Sequence, residues 1–175
     1  MSALVVNLFG AHCAGKSTAA AYIFSQLKMK GVNCELVTEF CKDLVWDDCE
    51  KAIDCQPYIF GTQLYHLDRC KDEVDVIIVD SPLPNSVLYK HDVRLGDSFD
   101  DAVMNVYRHF DNLNYLLLPQ HEYETVGRIH TEKESQNLIN QITLLLDKYK
   151  IDYKPIFANQ TAYDGIVEKV IRIVS

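Results

Sequence analysis

Ala3, Leu4, Val5, Val6, Asn7, Leu8 and Phe9 form a short, almost unbroken apolar run that stops at Gly10. A segment apolar at successive positions buries both faces, the pattern of a strand inside a parallel sheet. Residues 16–29 then carry Ala19, Ala20, Ile23, Phe24 and Leu27 on or near one helical face, with Gly31 where a helix C-cap belongs. Residues 34–38 read as a second strand. Residues 40–72 read as helix in two pieces broken near Gln56 and Pro57, the second offering Ile59, Leu64 and Leu67 for packing. The clearest strand is predicted at residues 74–79, ending at Asp80. The Pro82, Pro84 and Gly96 region predicts loop with a single helical turn, followed by a helix over 99–110 and a strand over 115–118 stopped by Pro119.

Thr131 to Glu134 has the capping-box pattern and opens a helix whose apolar stripe is Leu138, Ile142, Leu145 and Tyr149. A fifth strand is predicted over 154–158 and a closing helix over 162–174. Strands alternate with helices throughout, without an internal repeat or a low-complexity linker. The expected architecture is α/β, a five-stranded parallel sheet with helices on both faces, in a single domain over residues 1–175.

Composition narrows the functions open to such a domain. Among 175 residues, 48% are apolar and 24% charged, ordinary for a globular chain and against disorder. Lys and Arg total 17 against 25 Asp and Glu, a net charge of -8, which opposes nonspecific coating of nucleic acid or of an anionic membrane. The six cysteines (Cys13, Cys34, Cys41, Cys49, Cys55, Cys70) lack the spacing of a zinc site. A signal peptide is not apparent, and no apolar run approaches the roughly 20 residues that span a bilayer. The cysteines are therefore expected to be reduced and mostly buried as small apolar residues, in a soluble cytoplasmic protein.

Chemistry enters at Gly10-Ala11-His12-Cys13-Ala14-Gly15-Lys16-Ser17, which fits G-x-x-x-x-G-K-[ST] without a mismatch. Glycines at those positions let the backbone curl until successive N–H groups point at a β-phosphate, and the following helix adds its positive end. Lys16 is placed to bridge β- and γ-phosphates, Ser17 to ligate Mg²⁺, and Thr18 to reach the α-phosphate. Ala11, His12, Cys13 and Ala14 are expected to contribute backbone N–H groups. The match lies between a predicted strand and a predicted helix, as its mechanism requires, so the segment is read as a nucleoside-triphosphate site for ATP and Mg²⁺.

Two acids stand at carboxyl ends of predicted strands, where ligands of open parallel sheets gather. Asp80 follows Val76-Ile77-Ile78-Val79 and can hold Mg²⁺ or accept a proton; Glu39 follows the second strand and can act as a base or bind an acceptor hydroxyl. The plainer alternative for each is a helix-capping acid. Tyr58 and Gln63 suit the face and edge of a planar heterocycle, with core packing as the alternative. Residues 119–131 make a polar strand-to-helix segment with Gly127 as hinge candidate, read as a lid. Its Arg128, one of five arginines, is positioned by sequence to close over a γ-phosphate unless it is simply a solvated loop residue. Lys133 is a weaker candidate for the same role.

Gly10 to Ser17, Glu39, Gly61-Thr62-Gln63, Asp80 and Gly127-Arg128, in that order, resemble the P-loop kinase family typified by the nicotinamide riboside kinase domain of NadR. That family includes many phage-encoded kinases and ATPases. The resemblance implies a sheet of five parallel strands, MgATP, and phosphoryl transfer to a hydroxyl, often on a nucleoside-like molecule. One departure is visible: Asp80 is followed by Ser81-Pro82-Leu83-Pro84-Asn85, whereas the NadR kinases carry a second acid two residues after the first. The expected activity is a kinase acting on a hydroxyl or phosphate of a nucleoside- or nucleotide-like acceptor. The alternatives are a kinase acting on DNA, disfavoured by the net charge, and an NTP-hydrolysing switch; no N-K-x-D guanine motif supports a GTPase switch.

Overall fold

Every residue of the first strand, β1 (Leu4–Gly10), is buried, because it lies in the middle of the sheet and hydrogen-bonds on both sides. In this computed structural model the described residues are 2–119 and 132–175, without the side chains of residues 50 and 132–134. The other strands are β2 (Cys34–Val37), β3 (Val76–Val79), β4 (Asp111–Leu118) and β5 (Lys154–Phe157), and the order across the sheet is β2-β3-β1-β4-β5. All four pairings are parallel, with Leu4 opposite both Val76 and Asp111. The five-stranded parallel α/β architecture expected from the sequence is present.

Alternation along β1 divides the core. Leu4, Val6 and Leu8 pack with α1 (Lys16–Met29) and α8 (Gln160–Val174) on one face. On the other, Val5 packs with Leu67 of α4 (Gln56–Asp68) and Met104 of α6 (Gly96–Tyr107), and Phe9 packs with Ile142 and Leu146 of α7 (Glu132–Lys148). Asn7 sits in this second face at 2% exposure, a polar residue within the run read as apolar. Its amide nitrogen donates to Asn112 Oδ1 at 2.8 Å and Asn114 Oδ1 at 3.0 Å. Tyr107 Oη donates to the same Asn114 oxygen at 2.7 Å, and Asn114 Nδ2 donates to the Asp152 carbonyl at 2.9 Å. These satisfied amides carry β4 four residues further toward its N-terminus than the apolar run at 115–118 indicated.

Several boundaries move for local reasons. Helix α1 ends in a Schellman motif: the N–H of Gly31 (φ 81°) bonds the Lys28 carbonyl, and that of Val32 bonds the Leu27 carbonyl, both at 3.0 Å. Residues 40–72 form three helices, α2 (Phe40–Trp46), α3 (Glu50–Ile53) and α4, not two. Pro57 lies in the first turn of α4, where its missing N–H costs nothing, and so does not break the helix. The single turn α5 (Asn85–Leu88) precedes α6, and Asn159 caps α8 by accepting from the Ala162 N–H at 2.9 Å.

The cysteines depart from expectation. Cys34 and Cys70 are buried and Cys41 partly so, but Cys13, Cys49 and Cys55 are exposed, because they sit in turns outside the core layers. All six are free thiols. Among the described residues, no helix is long and apolar enough to cross a membrane. Residues 120–131, which make up the sequence-based lid apart from Pro119 and include Arg128 and the capping residue Thr131, lie outside the described residues.

Candidate nucleotide and acceptor site

The loop leaving β1 is shaped by its glycines. A Cβ on Gly10 would stand 3.1 Å from the Leu117 carbonyl oxygen and 3.2 Å from Ala14 Cβ, so a side chain there would press the loop off β4. Gly15, with φ 84°, is the N-cap of α1 and supplies no side-chain cap, and the first turn holds no acid. The leading N–H groups of the helix are thus left for an anionic ligand. Lys16 folds back over this loop: its Nζ donates to the carbonyls of Gly10 at 2.9 Å and Ala11 at 3.0 Å. Burial lowers the Lys16 pKa, and the neighbouring Glu39 and Asp80 carboxylates partly offset that by favouring its charge. Ser17 and Thr18 are exposed on the first turn of α1.

Asp80 directly follows β3 and is 1% exposed. Its backbone N–H reaches the Val37 carbonyl at 3.4 Å, tying the ends of β3 and β2 together. Glu39 follows β2 at the N-cap position of α2, but its carboxylate makes no capping hydrogen bond. Neither acid is therefore spent on capping. Lys42 joins them, with Nζ 3.3 Å from Asp80 Oδ2 and 3.6 Å from Glu39 Oε2. Asp80 Oδ1 is buried without a hydrogen-bond partner among the described residues.

An unpaired buried carboxylate oxygen is a hard, anionic donor aimed at whatever completes the site. Magnesium keeps most of its shell as water and phosphate oxygens and takes one or two protein oxygens, so Asp80 with the Ser17 hydroxyl fits the chemistry of the ion. No group of three or more His, Cys, Asp or Glu side chains stands at metal-binding distance among the described residues.

A cavity of about 220 Å³ lies against this corner, walled by His12, Glu39, Phe40, Gln63, Ser81, Asn85 and Tyr89 among others. Two expectations change here. Gln63 is 4% exposed, and its amide is committed to backbone: Oε1 accepts from the Phe40 N–H at 3.2 Å, and Nε2 donates to the Thr38 carbonyl at 3.2 Å. It clamps the turn that presents Glu39. Tyr58 does not line the cavity; it is 48% exposed and packs edge-on against Phe40 at 5.4 Å between ring centroids. The helical step from Ile59, which does face the cavity, turns Tyr58 outward.

The tyrosine in the cavity wall is instead Tyr89, whose ring lies 6.0 Å from that of His12. Burial, reinforced by Glu39 and Cys41, pushes the Tyr89 phenol up to about 12, so it remains an O–H donor at neutral pH. His12, read as a backbone contributor, thus also turns its ring into the cavity. Lys42 and Tyr89 were missed by sequence reasoning. Lys42 stands three residues after Glu39 on a helix, a spacing that signals an ion pair. Tyr89 carries no such signal, since it is delivered by the short α5 turn.

The sequence matches the AAA domain family over residues 5–161. No curated protein sequence matches it. Among solved structures, thymidylate kinase from Ehrlichia chaffeensis is similar with a TM-score of 0.62 and 14% identity, over 99% of this chain and 98% of that one. Deoxyadenosine kinase from M. mycoides gives a TM-score of 0.49 and 17% identity, over 97% and 99% of the two chains. At such identities the likeness concerns the fold, and it rests on the first of the two: the five-stranded sheet with its glycine loop is the P-loop kinase-like arrangement.

Proposed function

The chain belongs to the AAA domain family, and from that premise we propose that it is an ATP- and Mg²⁺-dependent phosphotransferase acting on a nucleoside- or nucleotide-like acceptor. The observation that carries this reading is the cavity beside the phosphate loop, whose wall includes both His12 of that loop and Glu39. A hydrolase needs only water beside the γ-phosphate, whereas this space is lined by a carboxylate, a phenol and aromatic rings, groups suited to a second, organic substrate. The resemblance to the NadR kinase domain, and the kinase named in the similar thymidylate kinase structure, support the same assignment.

In this reading the loop N–H groups grip the β-phosphate, and Lys16 leaves the Gly10 and Ala11 carbonyls to bridge the β- and γ-phosphates. Ser17 and Asp80 would hold a magnesium ion, which when bound would neutralise charge on the phosphate oxygens. Glu39, set by the Gln63 clamp, orients the acceptor hydroxyl or takes its proton, and the Tyr89 phenol, which lines the same cavity, donates to the acceptor. Arg128 is assigned, on sequence alone, to the transferring phosphoryl group, and the whole chain is read as one kinase domain with a lid near residues 119–131. A strand of DNA as acceptor is disfavoured by the net charge of -8.

The test is a transfer screen with γ-labelled ATP and Mg²⁺ across nucleosides, nucleotides and single-stranded DNA. Label appearing on an organic acceptor is the expected result. Label released only to water across the whole set would replace this reading with that of an NTP-hydrolysing switch.

A further inference from the structure

Two lysine–carboxylate pairs in this protein are built to opposite specifications. Lys90 and Asp100 meet at 2.6 Å with side chains 17% and 8% exposed, and Lys90 also donates to the Gly96 carbonyl at 2.7 Å. That pair is enclosed and geometrically tight. Lys42 meets Asp80 at 3.3 Å with its own side chain 49% exposed, while the carboxylate is almost wholly buried. Only Oδ2 is engaged; Oδ1 has no hydrogen-bond partner among the described residues.

A buried carboxylate needs a cation close by to remain charged. Lys16 is committed to the carbonyls of Gly10 and Ala11, so the ammonium in contact with Asp80 is that of Lys42. Lys42 is held there lightly. Its flexible stem is half in solvent, its ammonium is readily hydrated, and its second carboxylate partner, Glu39, lies 3.6 Å away at the N-cap of the same helix. It can leave Asp80 without opening the core.

We propose that Lys42 is a resident counter-ion that reserves the Asp80 carboxylate: it competes there with a divalent cation in the nucleotide-free protein and yields when the cation arrives together with polyphosphate. The inference rests on Asp80 being the metal ligand in the function proposed above, and it adds an order of binding. A divalent ion alone would have to displace one positive charge and settle beside Lys16 and the freed Lys42. An ion carried by a triphosphate brings the negative charge that offsets both. Lys42 thereby keeps the metal site closed to free divalent ions.

The experiment titrates manganous ion into the full chain without nucleotide or acceptor and reads free Mn²⁺ by electron paramagnetic resonance. K42M should bind at least about fivefold more tightly than wild type, K42R should match wild type, and K42M/D80N should show no gain. Circular dichroism checks each fold, and K42Q takes the place of K42M should the apolar side chain prevent folding. Unchanged or weaker Mn²⁺ binding without the Lys42 charge overturns the proposal, as does a gain that survives in the D80N background or appears equally in K42R. Because no turnover is read, this test and the transfer screen can fail independently.

Discussion

At the scale of single residues, the strongest expectation concerns Lys16. Its ammonium contacts loop carbonyls and no apolar core, so Lys16→Ala removes charge from the transferring phosphates without leaving a cavity. Transfer activity should fall by about a hundredfold or more while the circular dichroism spectrum and melting temperature stay close to wild type. Unfolding of this variant, or activity near wild type, would remove the phosphate-loop assignment. Asp80→Asn and Glu39→Gln separate the two acids. The first should depress kcat and alter its Mg²⁺ dependence; the second should act mainly on acceptor KM if Glu39 binds the hydroxyl, and on kcat if it takes the proton. Arg128→Ala should lower kcat by about a hundredfold with ATP affinity little changed, and Arg128→Lys should recover only part of it, because an ammonium lacks the planar fork. Equal kinetics for all three forms would make Arg128 a solvated loop residue.

Elements, more than residues, decide what the acceptor meets. Helix α4 presents Ile59 and Gln63 inward and Tyr58 outward, a rotation that a list of aromatic residues could not convey. The loop from α5 to α6 brings Tyr89 and His91 to the cavity and is pinned between them by Lys90, through Asp100 and the Gly96 carbonyl. Breaking that enclosed pair from one side leaves an uncompensated charge. Lys90→Met should therefore cost about 3 kcal/mol of stability, measured by urea unfolding, and raise acceptor KM by loosening the wall. A Lys90→Met/Asp100→Leu double variant should regain much of the stability, since neither charge is then buried alone. The phosphate loop and the strand-end positions of Asp80 and Glu39 were legible in the sequence because local spacing encodes them. The cavity wall was not, because it is assembled from four segments between residues 12 and 91 whose mutual orientation is set by packing.

For the whole molecule, buried phenols set a limit on the alkaline side. Tyr89 titrates at about 12 in the folded protein against an ordinary 10.0, and burial raises Tyr107 as well. The unfolded chain releases these protons first, so the stabilisation is complete below about pH 10 and is lost as the pH climbs toward the folded value. For Tyr89 alone the loss is about 3 kcal/mol. Melting temperature should therefore drop steeply between about pH 10 and 12, and less steeply in Tyr89→Phe; parallel curves would mean that Tyr89 is more solvated than its place in the cavity indicates. The five-strand parallel architecture followed from alternating apolar runs and helical stripes. The early start of β4 did not, because Asp111-Asn112-Leu113-Asn114 reads as polar loop until Asn7 is placed opposite it. Three of the six cysteines were likewise misjudged, since thiols in exposed turns carry no periodic signal.

The Asn7–Asn112–Asn114 cluster also bears on how the chain finds this fold at all. Strands of valine, leucine and isoleucine are nearly interchangeable along their length, and sliding β1 by two residues against β4 would keep every apolar side chain on its proper face. A slip that carries Asn7 opposite Leu116 would take its buried amide out of reach of the Asn112 oxygen, an error that hydrophobic burial by itself could not detect. The cluster thus works as a proofreading mark at the centre of the sheet. Replacing all three asparagines with apolar residues would yield a greasier core that tolerates misalignment, and with it a displaced glycine loop at the far end of the same strand.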